Sequence, residues 1–122
     1  MTYVCIFLPH PPSTNNLFVN NRKTGGRFPS KAYKAWQEEA AVTLRKQDVK
    51  PIHGPVSLTF TFGRPDKRRR DVFNLVKAPE DFLVKHGIIE DDSLVERGTV
   101  QWSPHVFGVR IEIEPFVEEA AA

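Results

Sequence analysis

A single cysteine, Cys5, stands in the 122-residue chain, so no intrachain disulfide can form and thiolates cannot build a zinc site. A reducing, cytoplasmic setting is expected. The longest apolar run, Tyr3 to Leu8, is far too short to cross a bilayer and has no basic region before it, so neither a membrane partner nor export is expected. Neither a glycine-rich phosphate loop nor a nucleophile elbow is present, and no small-molecule cofactor is expected. The four histidines, His10, His53, His86 and His105, lack metal-ligand spacing, which points to surface or structural roles. Strong charge of one sign is missing too. Seventeen Lys and Arg against fifteen Asp and Glu leave a net charge of +2, which by itself barely favours a nucleic acid partner. There is no internal repeat. With 40% hydrophobic and 26% charged residues, disorder and fibrous repeats are excluded, and the length suits one domain over residues 1–122.

What is present reads as alternating strands and helices. Thr2 to Leu8 is β-branched and aromatic and is stopped by Pro9, Pro11 and Pro12, which predicts a short buried strand. From His10 to Pro29 the Asn- and Gly-rich composition predicts a long loop, functional or mobile, anchored by Leu17, Phe18, Val19 and Phe28. Ser30 can cap a helix to about Gln47, with Tyr33, Trp36, Ala40 and Leu44 at helical spacing. Val56, Leu58, Phe60 and Phe62 alternate with polar residues as a strand with one buried face. A second helix is expected within DVFNLVKAPEDFLVKHG, using Leu75, Phe82 and Leu83 and ending at Gly87, and Pro79 requires it to kink or to start near Ala78. Leu94 to Trp102 and Phe107 to Ile113 complete the order β-α-β-α-β-β, with Phe107, Val109, Ile111 and Ile113 on one face. Trp36 and Trp102 are expected in the core or at an interface, and the tail after Pro115 is expected to fray.

Two oppositely charged segments bracket the second helix: GRPDKRRRD ahead of it and IIEDD behind it. A hairpin-like return over about twenty residues would bring Asp71 towards Asp91 and Asp92 at one end of the helix. Converging carboxylates repel, and a divalent cation relieves that repulsion; hard oxygen donors favour Mg²⁺ or Mn²⁺. Such an ion can polarise a phosphoryl oxygen and activate water, while Arg68, Arg69, Arg70 and Lys77 supply a positive field for a polyanion. Taken alone, the basic run reads equally well as a solvated loop and the acidic residues better as a polar turn. Only their joint occurrence points to chemistry.

The segments RRRDVFNLVKA and HGIIEDDSLV together resemble the signature of the RusA family of Holliday junction resolvases. LPHPPSTNN is similar to that family's first strand and following loop, and SKAYKAWQEEA to its first helix, so the likeness runs from about Val4 to Glu114. The resemblance implies an α+β fold with a small mixed sheet and two helices, a homodimer, and Mg²⁺- or Mn²⁺-dependent cleavage of four-way DNA junctions. A junction with two-fold symmetry suits a dimer carrying two matching sites. Carried over residue by residue, the resemblance implies catalytic roles for Arg70, Asp71, Lys77 and Asp92. It implies metal ligation by Asp71 and Asp92, with Asp91 beside them, and DNA contacts from Lys67, Arg68, Arg69 and Arg70. Asn15 and Asn16 match the loop after the first strand and can approach DNA.

One position departs from the pattern. Phe73 stands where the family carries a second aspartate, and a phenyl ring cannot ligate a cation. Asp91, Asn74, Glu90 or waters can complete a weaker site, the protein can bind junctions without cutting them, or its substrate can have changed. Burial against the core is the plain structural reading of Phe73. A general single-strand or RNA binder is disfavoured, because aromatics are not interleaved with the basic residues.

Overall fold

The computed structural model describes residues 3–118. Its main sheet has four strands, β1 (Val4–Leu8), β4 (Val56–Phe62), β5 (Val95–Trp102) and β6 (Val109–Pro115), ordered β1-β6-β4-β5. β6 pairs antiparallel with both β1 and β4, whereas β4 and β5 are parallel, so the sheet is mixed. Two helices, α1 (Lys31–Arg45) and α2 (Lys77–Lys85), complete an α+β fold. No helix among the described residues is long and apolar enough to cross a membrane.

Period-two alternation decides the sheet. Val56, Leu58, Phe60 and Phe62 of β4 and Val109, Ile111 and Ile113 of β6 are all buried, and they meet Ile6 and Leu8 of β1 in the same core. Against it lies the apolar stripe of α1. Tyr33, Trp36 and Ala40 are three and four residues apart and therefore share one face. The Ser30 hydroxyl caps this helix by accepting from the Tyr33 N–H at 3.1 Å, and it donates to the Asn16 carbonyl at 2.7 Å. The cap thus ties the helix start to the loop behind β1. Trp36 Nε1 donates to the Pro9 carbonyl at 2.9 Å, and the Gln47 amide spans both the N–H and C=O of Phe7 on the β1 edge.

The structure corrects several expectations. Residues 10–29 are not without regular structure: β2 (Phe18–Asn20) and β3 (Arg27–Pro29) pair antiparallel, so the β-α-β-α-β-β order omitted two short strands. Of the four residues expected to anchor that segment, Leu17 is buried and Phe18 half-buried, but Val19 and Phe28 are exposed. α1 ends at Arg45, two residues before Gln47. The segment after the basic loop is a 3-10 turn, Val72–Leu75, followed by α2; Pro79 falls in the first turn of α2, where no intrahelical N–H bond is required, and no kink is needed. Gly87, at φ 69°, ends the helix as its composition suggested.

At the sheet's far end, Gly108 adopts φ 70° and breaks the strand pattern, so Phe107 does not share the face of Val109, Ile111 and Ile113 and is 96% exposed. Phe116 is not frayed, since its N–H donates to the Pro55 carbonyl at 2.9 Å; residues 119–122 of the expected frayed tail, and Thr2 of the expected first strand, lie outside the described residues.

Candidate active site

Parallel strands cannot be joined by a tight turn, so the chain between β4 and β5 must cross over, and this crossover carries the whole charged region. It contains the basic loop, the 3-10 turn Val72–Leu75, helix α2, and a second 3-10 turn, Asp92–Leu94. Both short turns pack against α2. Asp71 and Asp91 each occupy the position just ahead of one turn. The carboxylate of Asp71 accepts the Phe73 N–H at 3.0 Å, and that of Asp91 accepts the N–H and hydroxyl of Ser93. These two Ser93 bonds hold the Asp91 carboxyl below its ordinary range.

The return past Gly87 folds the chain back along α2, with the Ile88 N–H donating to the Leu83 carbonyl at 2.9 Å. Asp92 thereby reaches the electrostatic neighbourhood of Lys77 and Glu80. Glu80 is raised above the usual carboxylate range, first by burial and then by the negative charges of Asp92 and Asp81, with Lys77 opposing. Lys77 Nζ lies 3.2 Å from the Asp81 carboxylate, and that hydrogen bond is the main cause of its raised pKa.

Asp71 opens on a small cleft of about 180 Å³ shared with Ser13, Arg70 and Asn74. The loop after β1 is fastened there by a hydrogen bond from the Thr14 hydroxyl to the Asn74 carbonyl at 3.0 Å. Asn15 and Asn16 stand beside that anchor in the turn Thr14–Asn16, both exposed, with Asn16 donating to the Ser13 hydroxyl at 2.9 Å. In the basic loop Lys67, Arg68, Arg69 and Arg70 are exposed. Arg70 does not pair with Asp71; its guanidinium takes Asp66 in two bonds of 3.1 and 2.6 Å. Those bonds, with the Arg68 N–H, hold Asp66 at about 2.

Phe73 is 71% exposed, which overturns its expected burial. It occupies the 3-10 turn directly after Asp71, with its ring in solvent. Glu90 is turned away as well: it accepts the Gly54 N–H at 2.5 Å and faces His53 at 3.7 Å, so it is not free to complete an ion site beside Asp71. Among the described residues no group of three or more His, Cys, Asp or Glu side chains is arranged to hold a metal ion. The donors that remain are chemically suited to a hard divalent cation. Mg²⁺ commonly binds through one or two carboxylates and completes its shell with water and substrate phosphate, so exposed aspartates such as Asp71 and Asp92 are of the right donor type for it.

Sequence reasoning missed the parts played by Glu80, Asp81 and Asp66. Lys77 and Asp81 are four apart on one helix, a spacing that signals an ion pair. Glu80 carried no comparable signal, since its proximity to Asp92 depends on the angle of the return. His10 lies near Arg70 and Asp66; burial first, and Arg70 second, hold its pKa below 6.5, and its Nδ1 is buried without a hydrogen-bond partner.

Compared with known proteins, residues 9–114 match the family model described as Endodeoxyribonuclease RusA. The chain is 34% identical over 115 residues to the crossover junction endodeoxyribonuclease RusA of Escherichia coli strain K12, covering 93% of each chain. It is 34% identical over 110 residues to the corresponding protein of Enterobacteria phage 82, covering 88% of this chain and 89% of the phage protein. For the Shigella sonnei strain Ss046 protein the identity is 33% over 115 residues, again with 93% of each chain covered.

Proposed function

The chain belongs to the RusA family of endodeoxyribonucleases, and from that membership we propose that it is a metal-dependent enzyme that resolves four-way DNA junctions in recombination and repair. The observation that carries this reading is the crossover between β4 and β5, which sets an arginine-rich loop ahead of α2 and an acidic turn behind it, both in the order that the resemblance requires. Asp71 and Asp92 would hold Mg²⁺ or Mn²⁺, with Asp91 orienting its turn through Ser93. The bound ion would polarise the scissile phosphate and ease ionisation of water.

The chain's own residues do the rest. Lys77 is held in place by Asp81 and presents a positive charge towards the phosphate, and Arg70, fixed by Asp66, offers a preset cation at the cleft of Asp71. Lys67, Arg68 and Arg69 neutralise the DNA backbone, and Asn15 and Asn16 approach it from the loop after β1. The working form is a homodimer in the cytoplasm, because paired nicks on a two-fold junction need two matching sites. Support comes from β5, a terminal strand of the main sheet paired on one side only within it, whereas the Phe7 position on the β1 edge is covered by Gln47.

The test is an end-labelled four-way junction, with a duplex of the same sequence as control, incubated with Mg²⁺ and with Mn²⁺. Paired nicks confined to the junction are expected. A junction that is bound tightly but stays whole across both metal titrations refutes the enzymatic reading. Exposed Phe73, in place of a carboxylate, favours a second reading in which the protein binds and protects branched DNA without cutting it. That reading expects no cleavage in any metal and a junction affinity unchanged by Asp71→Asn.

A further inference from the structure

The basic loop borders a second cavity besides the cleft of Asp71. Arg64, Asp66 and Lys67 form one wall of a cavity of about 520 Å³ whose other wall is Trp102 at the end of β5 with Pro104 and Phe107 from the β5–β6 connection. The two walls are far apart in sequence, so the interleaving of aromatic and basic residues that the primary structure lacks is assembled by the fold. The guanidinium of Arg64 lies over the Trp102 ring at 4.3 Å from its centroid. Trp102 is braced from behind by an edge contact with Phe62 and by the Ser103 N–H donating to the Phe62 carbonyl at 2.9 Å. Phe107 is 96% exposed.

The walls are also locked together. The Gly63 N–H donates to the Gly108 carbonyl at 2.9 Å, and a Cβ at Gly63 would lie 1.8 Å from the Val106 carbonyl oxygen. The cavity is therefore a preset feature of the sheet's end. Asp66 is its one acid, and the paired Arg70 and Arg68 offset its charge.

The geometry points to a binding site for an unpaired nucleotide of the DNA, with its base stacked between the Arg64 guanidinium and the Phe107 ring and its phosphate met by Lys67. A planar cation, a free aromatic face and a cationic rim are the three features that an unstacked base and its phosphate require. Duplex bases present no free face, so the occupant is a nucleotide at a branch point or in a single-stranded arm. This inference rests on the DNA-binding reading above and adds to it a contact in a cavity that shares no lining residue with the cleft of Asp71.

The experiment compares a blunt duplex with the same duplex bearing a short unpaired tail that contains 2-aminopurine, both titrated with the full chain at fixed salt without metal. Wild type is expected to bind the tailed substrate more tightly and to quench the probe. Phe107→Ala is expected to weaken tailed binding at least about fivefold and abolish the quench, with duplex affinity changed less than about twofold. Phe107→Tyr is expected to restore both. Equal loss on both substrates, or no tail preference in wild type, overturns the pocket while leaving the DNA-binding reading standing. Failure of both substrates to bind overturns the pocket and the DNA-binding reading together. Sedimentation of Phe107→Ala supplies the last check: conversion of a dimer to a monomer overturns the proposal by assigning Phe107 to a contact between copies.

Discussion

Phe73→Asp is the perturbation in which stability and chemistry separate most cleanly. The ring is 71% exposed, so its removal opens no core cavity, and the fold should change by no more than about 0.5 kcal/mol. The bond that shapes the turn is also kept, because Asp71 accepts from the backbone N–H at position 73 and not from its side chain. The new carboxylate adds repulsion with Asp71, on the order of 1 kcal/mol or less between exposed charges. Against this, a third oxygen donor should improve cation affinity at least about tenfold, or about 1.4 kcal/mol. At a fixed sub-saturating Mn²⁺ concentration, cleavage of a labelled junction should rise by a similar factor. The Mn²⁺-induced gain in Tm should grow by roughly 3–6 °C for a domain of this size. A variant with wild-type Tm without metal, an unchanged Mn²⁺ midpoint and unchanged cleavage would refute the claim that position 73 faces the ion site.

Other consequences follow from the same structure. Gly63→Ala forces a Cβ into the Val106 carbonyl, so denaturant unfolding should show a loss of roughly 3 kcal/mol, whereas a neutral result would mean that the sheet's end is not locked. Asp66→Asn frees Arg70 and Arg68 from their pair, so duplex affinity should rise and the salt slope of binding should steepen by about one phosphate contact; an unchanged slope would contradict the tether. His10 should titrate below 6.5 by NMR, because burial and then Arg70 disfavour its charged form. Its neutral form contributes stability above its unfolded pKa, and that contribution is lost as the pH falls through 6.5 towards the lower folded value. A midpoint at or above 6.5 would contradict the placement of His10.

Elements whose residues repeat a strong pattern were legible from sequence. Val56 to Phe62 alternates apolar and polar residues, and Tyr33, Trp36 and Ala40 mark one helical face, so β4 and α1 lie where those periods put them. The β2–β3 pair was not legible because each strand is three residues long and mostly exposed, which leaves no periodic apolar signal. Phe107 misled for a different reason: it continues the alternation of β6 on paper, but the left-handed turn at Gly108 ends the register before it. At the candidate site the residue types were readable and their pairings only in part. Arg70 chose Asp66 over its neighbour Asp71 because pairing in that loop follows local turn geometry, whereas the four-residue spacing of Lys77 and Asp81 on α2 was a readable signal of their ion pair. The exposure of Phe73 was likewise not legible, since it sits in a short 3-10 turn and not in the helix whose start it was expected to occupy.

Crystals soaked in Mn²⁺ and measured at the manganese absorption edge test the shared-ion claim most directly. An anomalous peak held between the carboxylates of Asp71 and Asp92, and lost in Asp92→Asn, is the predicted result. A peak elsewhere, or none at these two residues at saturating Mn²⁺, would contradict it.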